Sequence, residues 1–333
     1  TLFFTFGNSI QKWEADGLLD RELRIYFALQ EKYDVEFQFL TYGDSSDRYL
    51  ENKLQGIKLI PVYEKLKRPR NKYLSFLHSF YIPFSFRREL ERSCLFKTNQ
   101  MWGGWVAVVS KLLCKKPLLV RNGYDFYDFL GKKQASKFKL MMAYFISKLI
   151  YKSADRVHVG SRSDKLFAVK KFDVPEHKVE VRSNWVDVEM FNNQHNVKEE
   201  KTLLFVGRLD EQKNIELLIK AISNTKLKLD IVGDGDQREY INKLAEEYGV
   251  KLRFLGKFPN LEMPYIYNNY SIYVIPSHYE GNPKTLLEAM SCGRAVIGTD
   301  VQGIREVIKD RVTGLLVTKN VDELRKAIVE LTE

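Results

Sequence analysis

Long apolar runs are missing from this sequence of 333 residues. No stretch approaches the roughly 18 consecutive apolar residues that a membrane-spanning helix needs, because the longest candidate, residues 140–150, is short and contains Lys148. The first six residues also lack the charged lead and the small-residue cleavage site of a secretory signal peptide. We therefore expect a cytoplasmic protein without a transmembrane segment.

Cysteine is also scarce, which bears on the compartment and on metal binding. The three cysteines, Cys94, Cys114 and Cys292, lie far apart, are odd in number and show no metal-ligand spacing. This pattern argues against a disulfide framework and against a zinc site. It agrees with a reducing compartment, and we expect no bound metal.

Acidic residues are scarce in the first part of the chain, so the net charge is distributed unevenly. Residues 1–198 contain 34 Lys and Arg against 22 Asp and Glu, a net charge of +12, whereas residues 199–333 have a net charge of −2. Basic clusters carry much of this excess, at residues 65–70, 87–88, 115–116 and 132–133. The spacings of helix-turn-helix, zinc-finger and RNA-recognition modules are absent, so we expect no nucleic acid partner. A solvated basic surface and contact with another anionic partner both stay open.

Strands and helices alternate regularly in the second half, which predicts βαβ units and a parallel sheet covered on both faces. Ligands of such sheets bind beyond the carboxyl ends of the strands. The predicted strands are residues 202–206, 227–232, 251–255, 271–275, 295–298 and 314–317. The predicted helices are residues 215–222, 237–248, 264–269, 284–292, 303–308 and 321–331.

The first half shows the same α/β pattern less clearly. Residues 136–152 predict a long helix, and residues 184–200 are polar and predict a linker. The organisation expected is therefore two Rossmann-like domains, residues 1–183 and 201–333, with a cleft between them. Strands of the first domain are predicted at residues 2–6, 35–41, 57–61, 117–121 and 156–159.

Candidate chemistry gathers where predicted strands of the second domain end. Residues 277–283 follow a strand and lead into a helix, whose unpaired N–H groups attract phosphate. Within that loop Gly281 permits close backbone approach, and the carboxylates of Glu280 and Glu288 can accept hydrogen bonds from sugar hydroxyls. Arg208 and Lys213 follow the first strand of this domain and can neutralise a diphosphate. Each residue taken singly also suits an ordinary surface charge.

Taken together, the second half resembles the retaining glycosyltransferases of family 4, which have the GT-B fold. The resemblance runs from about residue 201 to residue 317 and includes the Glu-x7-Glu signature, here Glu280 and Glu288. Residues 154–161 and 183–187, with Phe191, extend it more diffusely into the first half. It implies transfer of a sugar from a nucleoside-diphosphate sugar to an acceptor hydroxyl, in polysaccharide or glycan assembly, without cofactor or metal.

The resemblance also implies roles for individual residues. Arg208, Lys213 and Glu280 are implied as the catalytic set, the two cations on the diphosphate and the carboxylate on the transferred sugar. Glu288 is implied to bind the ribose hydroxyls. The remaining donor contacts implied are Gly17 from the first domain and Gly207, Gly233, Lys257, Phe258, Gly281, Asn282, Pro283, Thr285 and Leu286 from the second.

Two departures from the family pattern matter. Many members carry a histidine after the strand that here ends at Arg121, and this chain has Asn122, Tyr124 and Asp125 there, which become the acceptor-side candidates. The helix with which family members cross back to the first domain is also not found before the last residue, Glu333.

Three other functions are weighed against sugar transfer. A nucleotide-sugar-binding module without activity and a retaining glycosidase are the alternatives; the glycosidase is disfavoured because both carboxylates come from one strand–helix unit. A nicotinamide oxidoreductase is disfavoured because residues 233–235 lack the third glycine of the dinucleotide fingerprint.

The acceptor is expected to be a glycan or a lipid-linked molecule, with possible docking of the basic half on the inner face of an anionic membrane. Residues 132–152, as a helix, would combine lysines with apolar side chains suited to that surface. The same apolar residues also suit the core-facing side of a helix.

Overall fold

The structure is a computed structural model that describes residues 1–123, 125–132, 134–194, 197 and 199–332, with only the backbone of residue 200. The chain divides into two compact units, Thr1–Arg182 and Ser183–Glu333. The division lies one residue from the predicted end of the first domain. No helix in the described part of the chain is both long and apolar enough to cross a bilayer.

The first unit is built on a parallel sheet of seven strands. Its strand order is β3-β2-β1-β4-β5-β6-β7, so the chain runs outward from β1 in one direction and then in the other. Its strands are β1 (Leu2–Phe3), β2 (Gln38–Thr41), β3 (Lys58–Pro61), β4 (Phe96–Thr98), β5 (Leu118–Asn122), β6 (Arg156–Val159) and β7 (Val179–Val181).

Helices cover this sheet in two layers, because successive side chains of a strand point to opposite faces. Leu2 packs in a cluster with the helices at residues 10–15 and 19–33, and Phe3 in a larger cluster with the helices at residues 82–85, 104–114 and 137–153. The α-helices are α1 (Ile10–Ala15), α2 (Leu19–Tyr33), α3 (Val62–Lys65), α4 (Lys72–Ser79), α5 (Ile82–Ser85), α6 (Arg87–Glu91), α7 (Gly104–Cys114), α8 (Phe126–Lys132), α9 (Lys137–Ser153) and α10 (Arg162–Phe172). Short 3₁₀ helices span Ser45–Leu54 and Glu176–Lys178.

Strands β4 and β7 were not predicted from the sequence. Each has three residues, too few to show an alternation of apolar and polar side chains. The first predicted strand, residues 2–6, is shorter than expected and ends at Phe3, ahead of a turn at residues 6–7. The other four predicted strands of this unit are confirmed to within three residues at each end.

The second unit has a six-stranded parallel sheet of order β10-β9-β8-β11-β12-β13. Apolar clusters pack on both of its faces, as the near-continuous apolar strands predict. The strands are β8 (Glu199–Val206), β9 (Lys228–Val232), β10 (Lys251–Gly256), β11 (Tyr270–Ile275), β12 (Ala295–Thr299) and β13 (Leu315–Val317). The helices are α11 (Ile215–Ile222), α12 (Arg238–Glu247), α13 (Met263–Asn268), α14 (Lys284–Ser291), α15 (Gln302–Arg305) and α16 (Val321–Thr332), with 3₁₀ helices at Glu211–Lys213 and Asn260–Glu262.

The segment predicted as a linker, residues 184–200, differs from that expectation where the structure describes it. Phe191 is buried in the core of the second unit, and Asn193 accepts a hydrogen bond of 2.6 Å from the buried Arg294 guanidinium. Polar composition concealed these contacts because the partner residues lie about 100 positions away. Residues 183–194 are therefore part of the second unit, and β8 begins at Glu199.

Candidate active site

Two loops of the second unit meet where the strand order of its sheet reverses. Strands β8 and β11 are neighbours in the sheet, although the chain visits β9 and β10 between them. The loops that follow them, residues 207–214 and 276–283, carry seven of the 17 predicted site residues, including the three predicted as catalytic. In open parallel sheets this reversal opens a crevice at the carboxyl ends of the strands, which is where ligands bind.

The loops are joined by a salt bridge between Lys213 and Glu280. The Lys213 Nζ lies 2.6 Å from Glu280 Oε1, and the two side chains are only 14% and 7% exposed. The Ser277 hydroxyl donates to the same oxygen at 2.7 Å. Two of the three predicted catalytic residues are therefore brought into direct contact. Ser277 was not predicted, and only its place in the loop before Glu280 could have indicated it.

Backbone and amide hydrogen bonds hold the same two loops in register. The Gln212 side chain donates to the Tyr279 carbonyl at 2.9 Å, and the His278 N–H donates to the Gln212 carbonyl at 2.8 Å. Gly303 packs against the second loop so closely that a Cβ would lie 2.1 Å from the Gly281 carbonyl oxygen. The geometry around Lys213 and Glu280 is thus fixed from three sides.

Arg208 has a different environment from Lys213. Its side chain is 75% exposed, and its ion pair with Asp210 is long at 3.4 Å. An exposed arginine held this loosely keeps most of its hydrogen-bonding capacity for a ligand. The structure therefore separates the two predicted cations into one that the fold fixes and one that remains accessible.

The glycines that follow β8, β9 and β10 pack the strand ends together. A Cβ on Gly233, whose φ is +135°, would lie 1.9 Å from the Gly207 carbonyl oxygen. The Gly233 N–H donates to the Gly256 carbonyl at 2.8 Å. Gly207 and Gly233 were predicted to contact the donor, and the backbone packing by itself also requires glycine at position 233.

Helix α14 points its N-terminus into the same region. Its N-cap is Pro283, which makes no side-chain hydrogen bond to the first turn, and the partial positive charge of a helix N-terminus attracts an anion. The Thr285 hydroxyl accepts from the Tyr273 phenol at 2.8 Å, and the Leu286 side chain is buried. A ligand can therefore reach Leu286 only through its backbone.

Glu288 is buried, in contrast to a solvated acid on the protein surface. The carboxylate is in a residue 4% exposed, and its Oε2 accepts a hydrogen bond of 3.0 Å from the Tyr267 phenol. Burial, together with the nearby Glu288 charge, raises the pKa of Tyr267 well above its usual value, so the phenol stays protonated as the donor. Glu280 and Glu288 therefore have separate partners.

Asn282 connects this loop to the segment that precedes β8. Its side-chain oxygen accepts from the Asn184 N–H at 2.8 Å, and its carbonyl accepts from the Asn184 side chain at 2.5 Å. Asn184 was predicted only as a family landmark. No periodicity links two residues 98 positions apart, so the sequence could not reveal this contact.

The remaining donor candidates lie at two other places. Lys257 is exposed and Phe258 half-buried, both directly after β10 and so at the same edge of the sheet. Gly17 belongs to the first unit, where it has a φ of +66° between α1 and α2 and its N–H donates to the Glu14 carbonyl. Gly17 therefore lies in the turn that joins α1 to α2.

The acceptor-side candidates form a buried polar cluster at the end of β5. The Asp125 carboxylate accepts from the N–H groups of Tyr127 and Asp128 at the start of α8 and from the Tyr151 phenol at 2.9 Å. The Asn122 side chain donates to Tyr151 at 2.5 Å. Burial raises the pKa of Asp125 to about 6. Tyr124 lies outside the described residues.

Comparison with protein families and relatives gives a consistent picture. Residues 187–333 match the family described as Glycosyl transferases group 1. A glycosyltransferase of Methanocaldococcus jannaschii is 36% identical over 52% of this chain and 50% of its own length. The N-acetylgalactosamine-N,N'-diacetylbacillosaminyl-diphospho-undecaprenol 4-alpha-N-acetylgalactosaminyltransferase of Campylobacter jejuni is 30% identical over 64% of this chain and 60% of its own length. The O-antigen biosynthesis glycosyltransferase WbnH of Escherichia coli is 29% identical over 94% and 83%. The chain thus spans half to three fifths of the length of the first two relatives.

Solved structures resemble the whole chain. Anabaena HepE in complex with UDP and glucose matches with a TM-score of 0.76 at 16% identity, over all of this chain and 89% of that one. Sucrose-phosphate synthase from Thermosynechococcus elongatus matches with a TM-score of 0.79 at 20% identity, over 99% and 88%. At such identities the likeness concerns the fold alone, and it confirms the expected GT-B class.

Proposed function

Because residues 187–333 match the family described as Glycosyl transferases group 1, we propose that this chain is a retaining glycosyltransferase that uses a nucleoside-diphosphate sugar. The observation that carries this proposal is the nearly buried Lys213–Glu280 pair beside the uncapped N-terminus of α14. A cation, a carboxylate and a helix N-terminus at one strand-order reversal suit a sugar linked to a diphosphate.

The reaction breaks the bond between the anomeric carbon of the sugar and the diphosphate oxygen. The acceptor hydroxyl oxygen bonds to that carbon on the same face, and its proton passes to the departing diphosphate. Lys213 and Arg208 stabilise the charge that develops on the leaving group, and Glu280 orients the sugar through its hydroxyls. A single such contact is worth on the order of 10²–10³ in rate. No covalent bond between sugar and enzyme is needed.

Glu288 is assigned to the ribose of the donor, with Tyr267 holding its carboxylate. Lys257 and Phe258, after β10, are assigned to the base, and the N–H groups of residues 284–286 to the phosphates. Arg208 and Lys213 supply the positive charge that a metal ion would otherwise contribute, so we propose that the reaction needs no metal. Full activity after dialysis against a chelator is the expected result.

The acceptor is proposed to be a growing polysaccharide or a lipid-linked glycan. The C. jejuni relative is named for transfer to a diphospho-undecaprenol-linked sugar, and the E. coli relative for O-antigen biosynthesis. The net charge of +12 on residues 1–198 agrees with an anionic surface near the acceptor. We place the reaction at the cytoplasmic face of a membrane, without a spanning segment.

A panel of nucleoside diphosphates and their sugars tests the proposal. Uridine or guanosine diphosphate is expected to raise the melting temperature, because a ligand that binds only the folded state stabilises it by mass action. The matching sugar donor is then turned over or slowly hydrolysed, and NMR of the product gives its anomeric configuration. Binding without turnover would favour an inactive binding module, an inverted product would contradict retention, and no affinity for any diphosphate would refute the donor class.

A further inference from the structure

Residues 65–88, between β3 and β4, form a segment with an unusual composition. The segment contains seven Lys and Arg residues and no Asp or Glu. It includes α4, α5 and the first residues of α6. Basic residues concentrated on one segment create a positive potential that attracts an anionic partner.

One side of α4 and α5 is apolar and exposed. Its residues recur at positions 73–74, 77, 80–81 and 84, the spacing of a single helical face. The exposed fractions of these side chains range from 36% to 84%. The residues are Tyr73, Leu74, Leu77, Phe80, Tyr81 and Phe84, and we call them the α4–α5 stripe.

The core depends little on the α4–α5 stripe, in which Phe80 stacks on Trp105 with ring centroids 6.4 Å apart, because other residues anchor these helices. Phe76 packs against Trp105 with ring centroids 5.0 Å apart, and the Trp105 indole donates to the Ser79 hydroxyl at 2.8 Å. Ile82 and Phe86 are buried in the main cluster of the unit. The stripe is therefore an additional apolar surface on helices already held by their opposite side.

Basic side chains flank the stripe at both ends. Arg68 forms an ion pair with Asp44 at 3.4 Å, and Arg87 with Glu91 at 2.7 Å. The segment of residues 65–88 has four further arginines and lysines outside α3. All four are exposed, and none forms an ion pair within the described part of the chain. They are Lys67, Arg70, Lys72 and Arg88.

We propose that the α4–α5 stripe and its flanking cations dock this protein on a bilayer that contains anionic lipid. Helices that lie in a membrane interface combine an aromatic and aliphatic face with Lys and Arg beside it, as here. Each basic side chain near an anionic surface strengthens binding about fivefold. Single-stranded nucleic acid also binds cations and aromatic rings, but Leu74 and Leu77 offer no stacking surface to bases.

This inference rests on the proposed function only for its purpose, since docking brings the enzyme to a membrane-bound acceptor. Vesicle binding is measured without donor or acceptor, and donor binding is measured without vesicles. The failure of one proposal is therefore distinguishable from the failure of the other.

The experiment is co-sedimentation of the full chain with vesicles of phosphatidylcholine alone or with about 30% phosphatidylglycerol, at rising salt. The wild type is expected to bind the anionic vesicles more tightly, and salt is expected to weaken binding by screening. Leu77→Ser with Phe84→Ser removes part of the stripe and is expected to weaken binding by on the order of tenfold or more. Lys67→Gln, Arg70→Gln and Lys72→Gln together are expected to weaken it by on the order of 100-fold.

Matched variants test whether this surface is the one that docks. Leu261→Ser with Tyr265→Ser changes two exposed residues of the second unit and is expected to bind vesicles like the wild type. Phe138→Ser with Phe145→Ser removes exposed apolar side chains of α9. A loss of binding with the α9 variant and none with the α4–α5 variant would overturn the assignment.

A fluorescence measurement separates insertion from attraction by charge alone. The tryptophan emission of the Phe84→Trp variant, after subtraction of the wild-type emission from its four tryptophans, is expected to shift to the blue with anionic vesicles. Brominated lipid is expected to quench this additional emission. No vesicle binding at low salt would also overturn the proposal, as would equal binding to both vesicle types. Tighter binding to single-stranded RNA than to vesicles, or self-association through this face without lipid binding, would contradict it as well.

Discussion

Lys213 and Arg208 carry the same charge but differ in their burial and in their ion-pair partners. Lys213 neutralises the nearly buried Glu280, whereas Arg208 is mostly exposed. We predict that Lys213→Ala lowers the free energy of unfolding by about 3 kcal/mol, because it leaves a buried carboxylate without its cation. Arg208→Ala should lower it by less than about 0.5 kcal/mol.

Both changes should weaken binding of a nucleoside diphosphate, measured by calorimetry, while denaturant titration separates the stability effects. The double variant Lys213→Ala with Glu280→Ala serves as the control and should recover part of the lost stability. Unchanged affinity for the nucleoside diphosphate in the double variant Arg208→Ala with Lys213→Ala would rule out the assignment of these two cations to the diphosphate.

Substitutions of the two glutamates of the Glu-x7-Glu signature should impair different properties of the enzyme, turnover for Glu280 and nucleotide binding for Glu288. Glu280→Gln keeps the shape of the side chain but loses its charge, so turnover should fall on the order of 10²–10³-fold with nucleotide binding largely kept. Glu288→Ala should weaken nucleotide binding instead and destabilise the fold by about 1–3 kcal/mol, since the buried Tyr267 phenol loses its acceptor. Identical kinetic profiles for the two variants would refute this division.

Tyr267→Phe is the matched control for Glu288. It removes the hydrogen bond to Glu288 and leaves the carboxylate in place. If Glu288 binds ribose, this variant should retain much of the nucleotide affinity that Glu288→Ala loses. Enzyme kinetics and calorimetry on both variants make the comparison.

Asp125 should give the stability a recognisable pH dependence. Burial raises its pKa in the folded state to about 6 from 3.8, so between about pH 4 and pH 6 the folded protein holds a proton that the unfolded chain has released. Stability from this group therefore falls as the pH rises through that window, by up to about 3 kcal/mol. Asp125→Asn should remove that slope, measured as the difference between the two denaturation profiles. An unchanged slope would show that Asp125 is ionised at its ordinary pKa.

At the scale of elements, the sequence predicted every α-helix and strand described in the second unit, because the regular alternation of strands and helices indicates even its short elements, such as β13. The helix of residues 136–152 was also predicted, but its exposed face was not. Phe138, Met141, Met142, Phe145 and Leu149 lie on its exposed side, whereas Ala143, Ser147 and Ile150 face the core. A helix with apolar residues on both sides gives no sequence signal of which side is buried.

The candidate site was predictable as a set of residues but not as a set of contacts. The Glu-x7-Glu spacing and the order of the motifs indicated Glu280, Glu288, Arg208 and Lys213. The partners that hold them come from distant parts of the chain and have no spacing of their own, as Asn184 and Tyr267 show. Tertiary packing decides such contacts, and a single sequence does not record it.

The Asn184–Asn282 contact should position the loop between β11 and α14. Asn184→Ala removes its side-chain hydrogen bond to the Asn282 carbonyl, and we predict that KM for the donor rises about fivefold with kcat little changed. Asn192→Ala, which loses a hydrogen bond to the Glu189 carbonyl in the same segment, is the control and should leave KM unchanged. An equal fall in kcat for both variants would indicate a general loss of structure instead.

For the whole molecule, the boundary between the units decides which fragments can fold. The fragment of residues 183–333 keeps Phe191 in the core and Asn193 on Arg294, so it should unfold cooperatively and bind nucleoside diphosphate. The fragment of residues 201–333, cut at the end of the predicted linker, should be less stable by about 3–5 kcal/mol, because the loss of Phe191 leaves a cavity. Thermal unfolding of the two fragments checks this, and equal stability would show that residues 183–200 contribute nothing.

The attachment of residues 183–194 to the second unit also bears on how such enzymes diversify. An exchange of second units between relatives that crosses over near residue 182 carries the anchoring segment along with the core that it completes. An exchange near residue 200 instead places a foreign segment against Arg294, Asn282 and the core residues that surround position 191. Such a hybrid requires compensating substitutions on both sides of the crossover. Recombination, natural or in the laboratory, should therefore yield working hybrids mainly from the earlier crossover, with acceptor and donor preferences inherited as separate modules.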